Sequence, residues 1–270
     1  MPASTPKTDS PADNWKALPK RILLGAMGAD TVLILLYAIT VGLTPTPSRK
    51  PLTFLFDLNG EGNVAAWFSG TQLFVIGLAF LLLALWFFQS DERIAPLRRL
   101  FFVCGLAFVY LSADEIGQIH ENMSKVLQSW HWLNQVETKF LAMLGKKMHR
   151  LHGGSLWIPI FVVVGVALVW WLWPQFKLAW KLWRTEIFLL AAGFGILAFG
   201  AVVLEALGDL IPVGALLMRR LEVGVEEGFE LVGASIMLYA VVRVLAAAGA
   251  KLLPAAVPES RSSSGETPEE

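Results

Sequence analysis

Residues 62–90 read GNVAAWFSGTQLFVIGLAFLLLALWFFQS and contain no Asp, Glu, Lys or Arg. A helix needs about 20 mostly apolar residues to cross the hydrocarbon of a bilayer, and this stretch exceeds that length. It predicts a transmembrane helix and sets lipid as the solvent for the chain. Two more stretches reach the length unaided: residues 22–43, whose one charge is Asp30, and residues 153–176, which have none. Residues 100–113, 187–204 and 231–242 are charge-free but shorter. They reach spanning length when neighbouring carboxylates are counted inside the span. The expected fold is therefore all-α: a polytopic integral membrane protein with a six-transmembrane-helix bundle over residues 19–250. Disordered cytoplasmic tails are expected at 1–18 and 251–270. The competing count is four or five spans with re-entrant or surface helices.

The whole chain agrees with that solvent. Of 270 residues, 55% are hydrophobic and 16% charged, against roughly 25% charged in soluble domains. Lys+Arg and Asp+Glu are 22 each, which leaves no basic surface for nucleic acid. The single cysteine, Cys104, excludes an internal disulfide and a Cys-based zinc site. The polar leader MPASTPKTDSPADNWKALPKR has no cleavage signature, so the first apolar helix reads as a retained anchor.

Lys and Arg set the expected orientation. With both termini cytoplasmic, 13 basic residues fall inside and 9 outside, and the short loops carry the signal: Arg93, Arg98 and Arg99, then Lys177, Lys181 and Arg184. In a bacterium this is the cytoplasmic membrane. Trp67 and Trp157 would mark the outer interface; Trp86, Trp170, Trp171, Trp173, Trp180 and Trp183 would mark the inner one, where amphipathic rings anchor in lipid. Between helices three and four, Val136, Phe140, Leu144 and Met148 recur every fourth residue. They predict an amphipathic outer-surface helix.

Chemistry is expected where carboxylates enter the spans. Helix three reads YLSADEIGQIHEN, helix five AVVLEALGDL and helix six RRLEVGVEEGFELVG. At about 1.5 Å per residue, Asp114 stands about 22 Å above Arg99, and Glu230 about 20 Å above Arg243. Acids from three helices thus share the outer half of the bilayer. Glu222, Glu226 and Glu230 form one helical stripe, as do Glu205 and Asp209. Gly224 and Gly228 would allow close helix approach, as would Gly193, Gly195 and Gly200.

Ionisable groups inside a membrane are costly and point to function. Three arrangements would hold so many acids together: a divalent metal, shared protons, or arginine partners such as Arg219 and Arg220. The metal expectation names Asp114, His120, Glu121, Glu205, Asp209, Glu226 and Glu230 as ligands, with Asp114, Glu115, Glu226 and Glu230 as candidates for catalysis. His120 would reach the cluster only if helix three ends near Gly117. His149 and His152 would cover the site from the outer loop. Asp30 reads as a lone buried partner or a step on a lower water path.

Two partial resemblances attach to these motifs. Ser112, Asp114 and His120 in SADEIGQIHE resemble the Ser, Asp and zinc-binding His set of the alkaline-ceramidase superfamily, although no HxxxH pair follows on a late helix. Glu226 and Glu227 resemble the paired glutamates of CAAX-type membrane proteases, but Glu230 follows where that family has an arginine. Neither supports assignment to a family. Three functions follow as expectations. The first is a metal-dependent, hydrolase-like membrane enzyme acting on a lipid or lipid-linked substrate. The second is a proton- or cation-coupled transporter, and the third a non-catalytic sensor or assembly protein. Membrane lipids are partners in all three, and a small-molecule substrate in the first two.

Overall fold

The computed structural model describes residues 11–42, 51–58, 62–86, 95–119, 122, 126, 157–208, 211–212 and 214–250. Among them there is helix and no strand. Helix α1 spans Pro11–Tyr37 and runs on into a wide π turn, Ala38–Gly42; short α2 is Pro51–Leu55. Then come α3 (Val64–Trp86), α4 (Pro96–Gly117), α5 (Trp157–Trp171) and α6 (Trp173–Leu182). Helix α7 (Arg184–Ala198) continues through a second π turn, Phe199–Leu204, into α8 (Glu205–Gly208), and α9 runs over Leu216–Ala250. The expected tail 251–270, residues 1–10 of the expected tail 1–18, the 122–154 amphipathic segment (apart from Asn122 and Val126), His149 and His152 lie outside the described residues, while residues 11–18, expected to be disordered, are the first turns of α1.

Five helical segments are long and apolar enough to cross a membrane: Ala17–Val41, Val64–Leu85, Pro96–Gly117, Arg184–Leu204 and Leu216–Ala248. A sixth crossing exists only if Phe161–Trp171 and Trp173–Leu182 count as one span, because they meet at 68°. The expected continuous helix over 153–176 is broken within that range. Pro174 lacks an N–H and its ring crowds the carbonyl one turn earlier, and Leu172 sits between the two helices at φ −93°, ψ 8°. Beyond the bend Trp173, Lys177, Trp180 and Lys181 are exposed while Ala179 is buried. That pattern suits a helix lying in an interface.

The surface is what an apolar solvent requires. Leu85 (69%), Val163 (68%) and Trp170 (84%) are exposed, and similar side chains line every long helix. In water such a belt would far exceed the few hundred Å² of apolar patch usual on a soluble monomer. These helices fit an integral membrane protein.

Inside, α9 is the hub, packing against α1, α3 and α7, while α4 packs chiefly on α3 and α6. One apolar core, at the end bearing Arg99 and Arg243, gathers Leu83, Leu97, Phe101, Leu172, Met237, Val241 and Val244. A smaller one at the opposite end holds Tyr37, Val41, Leu58, Ala65 and Val223. Polar ties close both ends. Asn63 caps α3, its Oδ1 accepting from the Ala66 N–H at 3.1 Å. The Tyr37 hydroxyl donates to the Arg220 carbonyl at 2.9 Å. Arg243 donates from Nε (2.9 Å) and Nη2 (2.6 Å) to Glu186 in the first turn of α7.

Glycine decides how close the helices come. A Cβ on Gly233 would lie 2.6 Å from the Gly193 carbonyl oxygen, and one on Gly193 2.7 Å from that of Gly233. Gly77 and Gly105 meet in the same way between α3 and α4. Gly224 and Gly228 do permit close approach, and the helix they admit is α1, through Tyr37 and Ile34. Gly195, expected to act likewise, faces open space.

This contrast is testable. Gly233→Ala should cost about 1–3 kcal/mol of stability through overpacking against backbone, whereas Gly195→Ala should be neutral or stabilising by up to about 1 kcal/mol. Thermal unfolding of both purified variants checks it; equal effects would contradict the packing described.

Candidate functional site

The carboxylates expected in the outer half divide, where described, between two packing partners of α3. Asp114 (buried) and Glu115 (half-buried) are on α4; Glu222, Glu226, Glu227 and Glu230 are on α9. Helix α3 packs on both. The Ser112 hydroxyl, one residue pair before Asp114, donates to the Gly70 carbonyl at 2.7 Å and so fastens α4 to α3. Helix α4 ends at Gly117, with Gln118 left-handed at φ 53°. On the other side Gly200 of the π turn lies beneath Glu226 and Glu230. Gly208 lies beneath the Glu222 carboxylate, and its carbonyl accepts from Arg219 Nη1 at 2.8 Å. Arg219 Nε is 3.8 Å from Glu222 Oε2, so one of the expected arginine partners is in place.

Of the expected metal set, His120, Glu121 and Asp209 lie outside the described residues, as does the side chain of Glu205. Asp114, Glu115, Glu226 and Glu230 each interact with a neighbour. Among the described residues no group of three or more His, Cys, Asp or Glu side chains is placed to hold a metal ion.

The most completely enclosed polar group is elsewhere. Asp30 is 1% exposed, Gln72 5% and Ser235 0%, and they join α1, α3 and α9. On α1, Ala26, Asp30, Leu33 and Tyr37 follow helical spacing and face the bundle. On α9, Gly224, Gly228, Leu231 and Ser235 form the answering stripe. The two glycines let α1 approach closely enough for Ser235 to reach the carboxylate. Ser235 Oγ donates to Asp30 Oδ2 at 2.6 Å. Gln72 Nε2 donates to Asp30 Oδ1 at 3.1 Å and to Ser235 Oγ at 3.0 Å. By helical rise the group stands about 12 Å from Arg243 and about 22 Å from Arg220 along α9, well within an apolar layer about 30 Å thick.

Two features set this triad apart. Its carboxylate is held by neutral donors only: none of its described contacts is with Lys or Arg. And Gln72 Oε1 is buried with no hydrogen-bond partner. A buried amide carbonyl without a donor costs about 1–3 kcal/mol. Of the two sequence readings of Asp30, the buried partner is what the structure shows. Its two neutral partners escaped sequence reasoning because each lies in an apolar run. The available signal was a lone glutamine near the middle of the charge-free 62–90 stretch.

Asp30→Ala strands the Gln72 amide and the Ser235 hydroxyl, and Ser235→Ala removes a charge-assisted bond; each should cost about 1–3 kcal/mol. Because they act in one network, the double variant should lose less than the sum by about 0.5–3 kcal/mol. Additive losses in thermal unfolding would show that the three side chains do not act as a unit.

No curated protein and no solved structure matches the chain. A protein-family description does, over residues 26–245, and it takes in Asp30, Gln72 and Ser235 as well as the described acids of α4 and α9. The chain belongs to the family described as Domain of unknown function (DUF8692).

Proposed function

We propose that this protein is a proton- or cation-coupled transporter of the cell membrane and that Asp30 holds the coupling ion. In this reading the chain crosses six times, α5 and α6 together forming the fourth crossing, with both termini cytoplasmic. The observation that carries it is a fully buried carboxylate shared by three long helices with no basic side chain to balance it. Keeping an uncompensated Asp at the centre of a span costs about 2.5–3.5 kcal/mol. Such groups persist in membranes mainly on ion pathways and proton relays. The acid-rich outer half supports the same sign of cargo, since a surface of carboxylates concentrates cations at the mouth of a path.

The metal-dependent hydrolase reading leans on His120, Glu121, Glu205 and Asp209, and the described acids alone supply no metal-binding group. The triad favours ion coupling instead.

The experiment is flux in proteoliposomes. Under an imposed proton or Na⁺ gradient and with a mixture of small-molecule cargo supplied on both sides, wild-type protein should dissipate the gradient faster than empty liposomes, and Asp30→Asn should lower the rate by about tenfold or more. Equal rates for the two proteins would sink the proposal.

A further inference from the structure

We infer that the ion taken by the Asp30–Gln72–Ser235 site is a proton and not a metal cation such as Na⁺. This rests on the ion-coupled reading above and adds the identity of the ion. The spacing of the oxygens carries it. Ser235 Oγ and Asp30 Oδ2 are 2.6 Å apart, the range of an O–H···O⁻ hydrogen bond, which has room between its oxygens for a hydrogen and nothing larger. The other side of the carboxylate is filled by the Gln72 Nε2 group at 3.1 Å from Oδ1. Its hydrogens point at the oxygens a cation would need. Hard cations take six or more oxygens. Here Asp30, Ser235 and Gln72 together offer four side-chain oxygens, one of them turned away.

The same three side chains can answer both oxygens of the carboxyl in either of its protonation states. With Asp30 ionised, Gln72 uses both N–H groups, on Oδ1 and Ser235 Oγ, and Ser235 donates to Oδ2. Every polar hydrogen is used and Gln72 Oε1 is left over. When a proton binds, an O–H bond forms at Oδ1 and that oxygen becomes a donor. A half-turn of the Gln72 amide exchanges Nε2 for Oε1: the carbonyl oxygen becomes the acceptor of that O–H, and the amide N–H groups, no longer on Oδ1 and Ser235 Oγ, take the unpartnered position in its place. Ser235 continues to donate to Oδ2. The proton comes from water and returns to it, and no other co-reactant is needed. The spare carbonyl oxygen of the first state is the acceptor the second state requires.

The surroundings leave this titration to Asp30. The side chains acting on it from the packed helices are Gln72 on α3 and Ser235 on α9, with no charged group among them. Along α9 the nearest ionisable residues are Glu230, five residues away on one side, and Tyr239 and Arg243 on the other, Arg243 being paired to Glu186. On α1 the nearest are Tyr37, seven residues away on one side, and Arg21, nine away on the other, and α3 carries none between Val64 and Trp86.

The test uses full-length protein in lipid nanodiscs: wild type, Asp30→Asn and Ser235→Ala. Acid-minus-alkaline infrared difference spectra should contain a carboxylic-acid C=O band that Asp30→Asn loses and that Ser235→Ala moves in frequency. Replacing K⁺ by Na⁺ at fixed pH should change neither the band nor the thermal midpoint. A Na⁺-dependent rise in the midpoint that needs Asp30 would overturn the proton assignment and leave the ion-coupled reading standing. No Asp30-dependent band together with no Asp30-dependent salt response would overturn both. If Asp30→Asn fails to accumulate, a band unmoved by Ser235→Ala overturns the assignment.

Discussion

A carboxylate inside a bilayer has no water to turn to, so each of its oxygens must be answered by the protein or neutralised. Asp30 meets that constraint by drawing on two other helices, Gln72 from α3 and Ser235 from α9. The demand works in both directions. The group can exist only where α1, α3 and α9 come together, and those helices gain a directional contact that lipid-like packing does not supply. Apolar side chains are as much at ease against acyl chains as against each other. Within a membrane, register is therefore set by close backbone packing and a few hydrogen bonds. The triad supplies hydrogen bonds between the two apolar cores.

The same constraint explains the glycines. A hydroxyl as short as serine's reaches a neighbouring helix only if the backbones approach closely, and Gly224 and Gly228 bring α1 onto α9 above Ser235. Gly193 and Gly233 do this for α7 and α9, and Gly77 and Gly105 for α3 and α4. Helix α9 meets α1, α3 and α7 with a surface of small residues on two sides. That accounts for its burial along a length where α1 and α7 are largely exposed.

Much of this was legible in the residues. Uninterrupted apolar length identifies the long helices because the bilayer imposes one dimension on them all. Asp114 does fall inside its apolar helical segment, Pro96–Gly117, whereas the fifth segment, Arg184–Leu204, stops one residue short of Glu205. The expected continuous helix over 153–176 is instead a bent pair, because apolar length is blind to one proline: α6 leaves α5 at 68° beside Pro174. The height of the outer acids can be read from helical rise, but their lateral neighbours cannot. Rise says nothing of which helix faces which, and α4 and α9 turn out to share α3 as a partner. The partners of Asp30 were hidden for a related reason. Neutral polar residues in apolar runs leave no charge signature, and Gln72 and Ser235 are 163 residues apart in the chain.

The division of ionisable groups by depth then acquires a physical meaning. Toward the end of α9 that bears Arg219, that arginine and neighbouring backbone can moderate a carboxylate, so several are tolerated there. Deeper in, each added charge costs more, and the described structure keeps a single enclosed carboxylate there, matched to two neutral side chains able to exchange donor for acceptor. In the proton-coupled reading proposed above, the acids of α4 and α9 would concentrate cations at the mouth of a path without having to discriminate among them, because the 2.6 Å gap between Ser235 and Asp30 would do so.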